Sequence, residues 1–168
     1  MKRVLVAASV VLLSLSLAAQ TTKSKDAKKA TSKQEAAVPS KALMQEILAV
    51  WGNMDVDKAA QYYVKGPNAF YDIAPLKYSS WAEYEAGVKK LFEKYKSCRF
   101  ELSDDAVVHR AGNVAWGTAT WYAELEKRDG GKDTFDLRWT VVWEKRRDGW
   151  LIVHEHVSAP LPPEPAAR

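Results

Sequence analysis

Between residues 136 and 158 the chain alternates. Arg138, Thr140, His154, His156 and Ser158 fall at every second position, and Trp139, Val141, Trp143 and Val157 fall between them. Successive side chains of a β-strand point to opposite faces, so this segment predicts a hairpin with one polar and one apolar face. Arg147, Asp148 and Gly149 fit a three-residue connection that ends in a left-handed glycine. Such a turn sets a register in which Arg146 faces Trp150, Val142 faces His154, Thr140 faces His156 and Arg138 faces Ser158. The face carrying Trp139, Val141, Trp143, Leu151, Val153 and Val157 is too apolar to leave in water. The polar face reads as the wall of a pocket, so both faces are expected to be covered.

Upstream, the apolar period becomes that of a helix. Ser40 caps a helix in which Leu43, Ile47, Val50, Trp51 and Met54 form one stripe. Asp55 caps a second, short helix whose Ala59, Ala60, Tyr63 and Val64 face inward until Gly66 and Pro67 stop it. Residues 68–73 are a β-like run closed by Pro75. Ser80 and Glu83 form a capping box that opens a helix reaching about Lys96, with Tyr84, Val88, Leu91, Phe92 and Tyr95 on one side. Strands follow at 98–102, 106–110, 114–126, 133–146 and 150–158, with turns at Gly112-Asn113, Asp129-Gly130-Gly131 and Asp148-Gly149. Helices first and an antiparallel meander afterwards predict an α+β domain with helices on one face of a sheet long enough to curve.

Composition changes the picture mainly at the ends. Met1, Lys2 and Arg3 precede an apolar run over 4–17 and then small residues, the order of a secretory signal peptide cleaved after Ala18 or Ala19. The run is shorter than the roughly 20 residues of a membrane helix. No cysteine follows it to carry a lipid anchor, so the expected product is secreted or periplasmic with no stable membrane span. Residues 20–40 read as a disordered basic linker, and 161–168 as a proline-rich tail. The formal net charge is +4, from 25 Lys plus Arg against 21 Asp plus Glu. The excess lies in the signal and linker; residues 41–160 are near neutral, which leaves nucleic acid without an electrostatic footprint. That stretch makes one domain with one core. Cys98 is the only cysteine, so the domain has no internal disulfide and Cys98 reads as a small buried apolar residue.

The order helix, short helix, strand, helix and meander closes on Arg138-Trp139-Thr140-Val141-Val142-Trp143, Arg147-Asp148-Gly149-Trp150 and His154-x-His156-x-Ser158-x-Pro160. This arrangement resembles the SnoaL-like branch of the nuclear transport factor 2-like superfamily. The ending is also similar to that of the association domain of calcium/calmodulin-dependent protein kinase II. The resemblance covers roughly residues 41–160 and is specific at the C-terminal hairpin. It implies a cone-shaped curved antiparallel sheet wrapped around N-terminal helices, the cystatin-like roll, with a pocket inside and dimers formed through the sheet. The same scaffold serves isomerases, polyketide cyclases, dehydratases, binding modules and assembly domains. Where the kinase domain has an arginine between threonine and valine, this chain has Val141, so a ligand mode using that arginine does not carry over.

Arg138 is the sharpest candidate for chemistry. A guanidinium on a concave sheet face needs a carboxylate, supplied either by Asp72, Asp136 or a helix carboxylate, or by a ligand. With Thr140, His156 and Ser158 beside it, and Tyr71, Trp81 and Trp116 as aromatic lining, it points to a site for a small carboxylate- or carbonyl-bearing molecule. Run as an isomerase or polyketide-cyclase-like enzyme, the site takes His154, His156 or Asp72 as general base, with Arg138 or a tyrosine steadying an oxyanion. A third reading is an oligomerisation module joined through the Trp139 and Trp143 face. His154 and His156 lack a third ligand, and their spacing is not that of the helical zinc proteases, so no metal or other cofactor is expected. No phosphate-binding glycine loop, nucleophile elbow or second cysteine points to nucleotide binding or to Ser or Cys catalysis. The expected protein is thus an exported homodimer holding a small molecule in its cone.

Overall fold

The computed structural model describes residues 38–73 and 75–161. The signal peptide expected at 1–19, most of the linker expected at 20–40 and the tail beyond Leu161 lie outside the described residues.

Helix α1, Lys41–Gly52, begins where Ser40 caps it: the Ser40 hydroxyl accepts from the Leu43 amide at 3.2 Å. Its buried stripe is Leu43, Met44, Ile47, Leu48 and Trp51, each fully buried aliphatic group stabilising by about 1.5–3 kcal/mol. Helix α2, Val56–Ala59, is capped by Asp55 and tightens into a 3-10 turn at Ala60–Tyr62. It stops short of the helix expected through Val64, because Tyr63 bridges to Ile152 and the Val64 amide donates to the Ile152 carbonyl at 3.0 Å. The backbone groups that would have extended the helix are taken by the sheet.

Strands β1, Pro67–Tyr71, and β2, Tyr78–Ser80, lead into α3, Trp81–Phe92. The capping box forms there: the Glu83 amide donates to the Ser80 hydroxyl at 3.2 Å, and the Glu83 carboxylate accepts from the Ser79 amide at 2.7 Å. The helix ends earlier than its apolar stripe suggests. Tyr95 already pairs with Lys127, and the Arg128 amide donates to the Lys94 carbonyl at 3.0 Å, so Tyr95 opens a strand.

That strand is β3, Tyr95–Leu102, followed by β4, Val107–Ala111, β5, Val114–Lys127, β6, Lys132–Arg146, and β7, Gly149–Ser158. The sheet runs β2-β1-β7-β6-β5-β3, with β4 also paired to β5. All pairings are antiparallel except one: β1 lies parallel to β7, with Phe70 beside Glu155 and Tyr71 beside His156. A parallel neighbour requires a long crossover, and α3 with the whole meander supplies it. The sheet is therefore mixed at that edge, within the α+β class expected.

The long strands β5 and β6 alternate throughout. Ala115, Gly117, Ala119, Trp121, Ala123 and Leu125 of β5 turn inward, as do Leu137, Trp139, Val141 and Trp143 of β6. The small residues of β5 make room for α1. A Cβ on Gly117 would stand 2.9 Å from the Met44 sulfur and 3.1 Å from the Trp143 ring.

The β6–β7 hairpin has two registers. Arg138 faces Ser158, Thr140 faces His156 and Val142 faces His154, as expected, but Trp143 faces Ile152 and Arg146 faces Gly149. The turn holds only Arg147 and Asp148, with Gly149 at φ 118°, and a bulge opposite Val142 and Trp143 restores the count. Before the bulge Trp150 and Ile152 point inward; after it Glu155 and Val157 do.

Candidate functional site

The inward parity of β7 after the bulge carries one charged residue into the core. Glu155 is 2 % exposed, flanked by Phe70 on β1 and Val141 on β6. A buried carboxyl is costly unless hydrogen-bonded, and this one accepts three bonds. Tyr84 Oη of α3 donates to Oε1 at 2.6 Å. Tyr63 Oη donates to Oε2 at 2.8 Å, and Trp139 Nε1 donates to the same oxygen at 3.0 Å. Behind Tyr63, Trp51 Nε1 of α1 donates to the phenol oxygen at 2.9 Å. Three elements, α1, α3 and β6, and the turn after α2 thus converge on one acid of β7.

All of these donors are neutral. Burial pushes the Glu155 carboxyl up to about 7, the Tyr84, Tyr63 and Trp139 bonds pull it back, and the nearby Asp72 charge raises it again. Tyr63 and Tyr84 are held well above the ordinary phenol range by burial first and by Glu155 second. Asp72, half-buried just past β1, is raised by burial, with partial relief from the Ile73 amide that its Oδ1 accepts at 2.7 Å.

Glu155 and Asp72 share a cavity of about 260 Å³ between α1, α3 and the sheet. Its wall is otherwise mostly apolar, with Trp51, Phe92, Phe100, Trp121 and Trp139 among its rings and Leu48, Val88 and Leu137 among its aliphatic groups. Trp121 brings an indole N–H that is buried without a partner among the described residues. A small apolar body fits this space, and its polar end meets carboxyls. Among the described lining residues there is no Lys, Arg or His.

The residues singled out from the sequence lie elsewhere, Asp72 excepted. Arg138, Thr140 and His156 are exposed and Ser158 half-buried, all on the outward face of the sheet. Their juxtaposition is as expected, but the face is the convex one, because Trp139, Val141 and Trp143 on the other side pack against the helices. For the same reason the Trp139 and Trp143 face is no oligomer contact: the two residues are 3 % and 1 % exposed inside the domain. Arg138 has no carboxylate partner among the described residues. His154 donates from Nδ1 to the Ala69 carbonyl at 2.8 Å, and Tyr71 packs edge-on against both His154 and His156. Trp116 is 39 % exposed and stacks on His109. Trp81 is buried beside Tyr63 outside the cavity lining, its indole donating to Glu85 at 2.8 Å. Among the described residues no three His, Cys, Asp or Glu side chains gather as metal ligands. Cys98 is half-buried, and burial pushes its thiol up to about 11, in keeping with a small apolar role.

Glu155 is the residue that sequence reasoning passed over. The signal was present: it shares the alternation of Trp139, Val141 and Val157, so it is the acid on an apolar face. Nothing local identifies its donors, since Tyr63 and Tyr84 come from 92 and 71 residues away.

A mixed sheet curled over α1 and α3, with its polar centre inside, is the nuclear transport factor 2-like fold. A Salmonella enterica protein of that superfamily superposes with a TM-score of 0.59 at 22% identity, covering 76% of this chain and 97% of that one. A Streptomyces avermitilis member provisionally assigned as a dehydratase gives 0.63 at 16% identity, over 72% and 94%. The association domain of the C. elegans calcium/calmodulin-dependent kinase gives 0.57 at 16% identity, over 70% and 91%. Within the fold, the SnoaL-like domain profile matches residues 41–162, and the chain belongs to that family. No curated protein matches the chain significantly.

Proposed function

We propose that this protein binds a small, largely apolar molecule in the cavity under Glu155, with the polar end of that molecule meeting Glu155 and Asp72. The observation that carries this reading is a fully buried acid held by three neutral donors at the wall of a 260 Å³ space. Core acids with no such space beside them are usually paired with a cation. A carboxylate-bearing ligand, half of the expectation from sequence, finds two acids and no cation in the lining. The test is a fragment screen read by tryptophan fluorescence, since Trp51, Trp121 and Trp139 line the cavity. Hits should vanish in Ala123→Phe, which fills the space from β5. Hits that survive both Ala123→Phe and Glu155→Gln would place binding elsewhere and end this reading.

A second reading is favoured by one feature. A carboxyl at about 7 can both accept and return a proton at neutral pH, and Asp72 supplies a second titrating group. In an enzyme of this kind Glu155 replaces His154 and His156 as the base, because the histidines face outward. Deuterium exchange into a bound ligand that depends on Glu155 would support it; binding without exchange leaves a binding protein.

The proposal includes export, from the signal-like order of residues 1–19, and a homodimer formed by two outward sheet faces. His109, Trp116, Val142 and His154 form one row across four strands of that face, and Thr118, Thr140, His156 and Tyr71 the next. Asp136 and Arg138, two residues apart on the same outward side, offer a self-complementary charge pair to a second copy related by a two-fold axis.

A further inference from the structure

We infer that the occupant of the cavity is a cation: an ammonium group on a small apolar body, seated between Glu155 and Asp72 against the aromatic wall. The inference rests on the pocket reading above and narrows its ligand class. Three independent features of the site lead to it.

The first is a count of acceptors. An ionised carboxylate has about four acceptor sites. Tyr63 and Trp139 take both on Oε2 of Glu155 and Tyr84 takes one on Oε1, which leaves one on Oε1. Asp72 gives Oδ1 to the Ile73 amide, and Oδ2 takes no hydrogen bond from the described residues. The open acceptors of the two carboxyls want donors, and an ammonium group brings three with no acceptor.

The second is charge. The lining holds two carboxyls and no basic side chain among the described residues, and the charge of Asp72 disfavours that of Glu155. A cation between them replaces the repulsion of the pair by two attractions and brings its net charge from −2 to −1. An anionic ligand would add a third negative charge in a low-dielectric space. The third is the wall. Trp51, Tyr84, Trp121 and Trp139 all border the cavity, and ring faces attract a cation, tryptophan most of all.

Protonation gives the site a gate. With Glu155 protonated, the negative charge it offers to a cation in the cavity is gone. Binding of a cation should therefore release a proton near neutral pH and strengthen as pH rises from 6 to 8.

The experiment uses the full chain and three isosteres, benzylamine, benzyl alcohol and benzoate, in titration calorimetry at pH 8. Benzylamine should bind on the order of tenfold more tightly than benzyl alcohol, with benzoate undetected. The preference, though not the binding of benzyl alcohol, should disappear in Glu155→Gln and in Asp72→Asn, the second serving if the first folds poorly. Repeating the titration in buffers of different ionisation enthalpy should reveal the released proton. Benzyl alcohol binding as tightly as benzylamine, or any binding of benzoate, overturns the cation and leaves the pocket. No binding by any of the three, or binding unaltered by Ala123→Phe, overturns the pocket and the cation together.

Discussion

Glu155 sets the pH behaviour of the fold. Its folded pKa of about 7 lies above the ordinary glutamate value of about 4.3, so between those values the folded state binds more protons than the unfolded. Stability must then fall as pH rises through that window, and the contribution is complete below it. Asp72, raised in the same direction, adds to the fall. Glutamine can occupy the site: its oxygen accepts from Tyr63 and Trp139 while its amide donates to the Tyr84 oxygen. Urea unfolding of Glu155→Gln should therefore show a flatter profile from pH 5 to pH 8, by on the order of 2–3 kcal/mol relative to wild type. Parallel profiles would mean that Glu155 titrates normally in the folded protein.

Among the elements, the close approach of α1 to β5 depends on Gly117. A methyl there meets the Met44 sulfur and the Trp143 ring, both fully buried, so neither can swing into solvent. Gly117→Ala should cost about 1–3 kcal/mol by overpacking, measurable as a lower urea midpoint with an unchanged slope. A stability equal to wild type would mean that α1 sits further from the sheet. The hairpin was legible in part. Alternation paired Arg138 with Ser158 and Thr140 with His156 correctly, and the capping residues Ser40, Asp55 and Ser80 marked three helix starts. Alternation could not reveal the bulge. A strict period from Trp150 and Ile152 would turn His154 and His156 inward and Glu155 outward, and the one extra residue reverses that outcome.

For the whole molecule, the outward sheet face carries an exposed Trp116 and three histidines. Trp116→Lys with Thr140→Lys should yield a monomer in sedimentation with wild-type fluorescence from the inner tryptophans, if two copies meet there. A wild type already monomeric at high concentration would sink the dimer. Trp139→Ala with Trp143→Ala is expected to unfold the domain, since both rings belong to its core. Export is checked by the mass of the protein recovered from the producing cell's envelope or medium, which should lack the first 18 or 19 residues.

The sequence by itself determined the class of fold, its family and nearly all of its elements, because helix caps, apolar periods and turn residues act over a few positions. It also determined that the outer and inner faces of the hairpin differ. Which face is inside, and therefore which residues form the site, was decided only by tertiary structure. α1 and α3 pack on the tryptophan side, and the acid they enclose has its donors spread from Trp51 to Trp139. No local pattern encodes that meeting, since hydrogen bonds between residues far apart in sequence depend on how the helices close over the sheet.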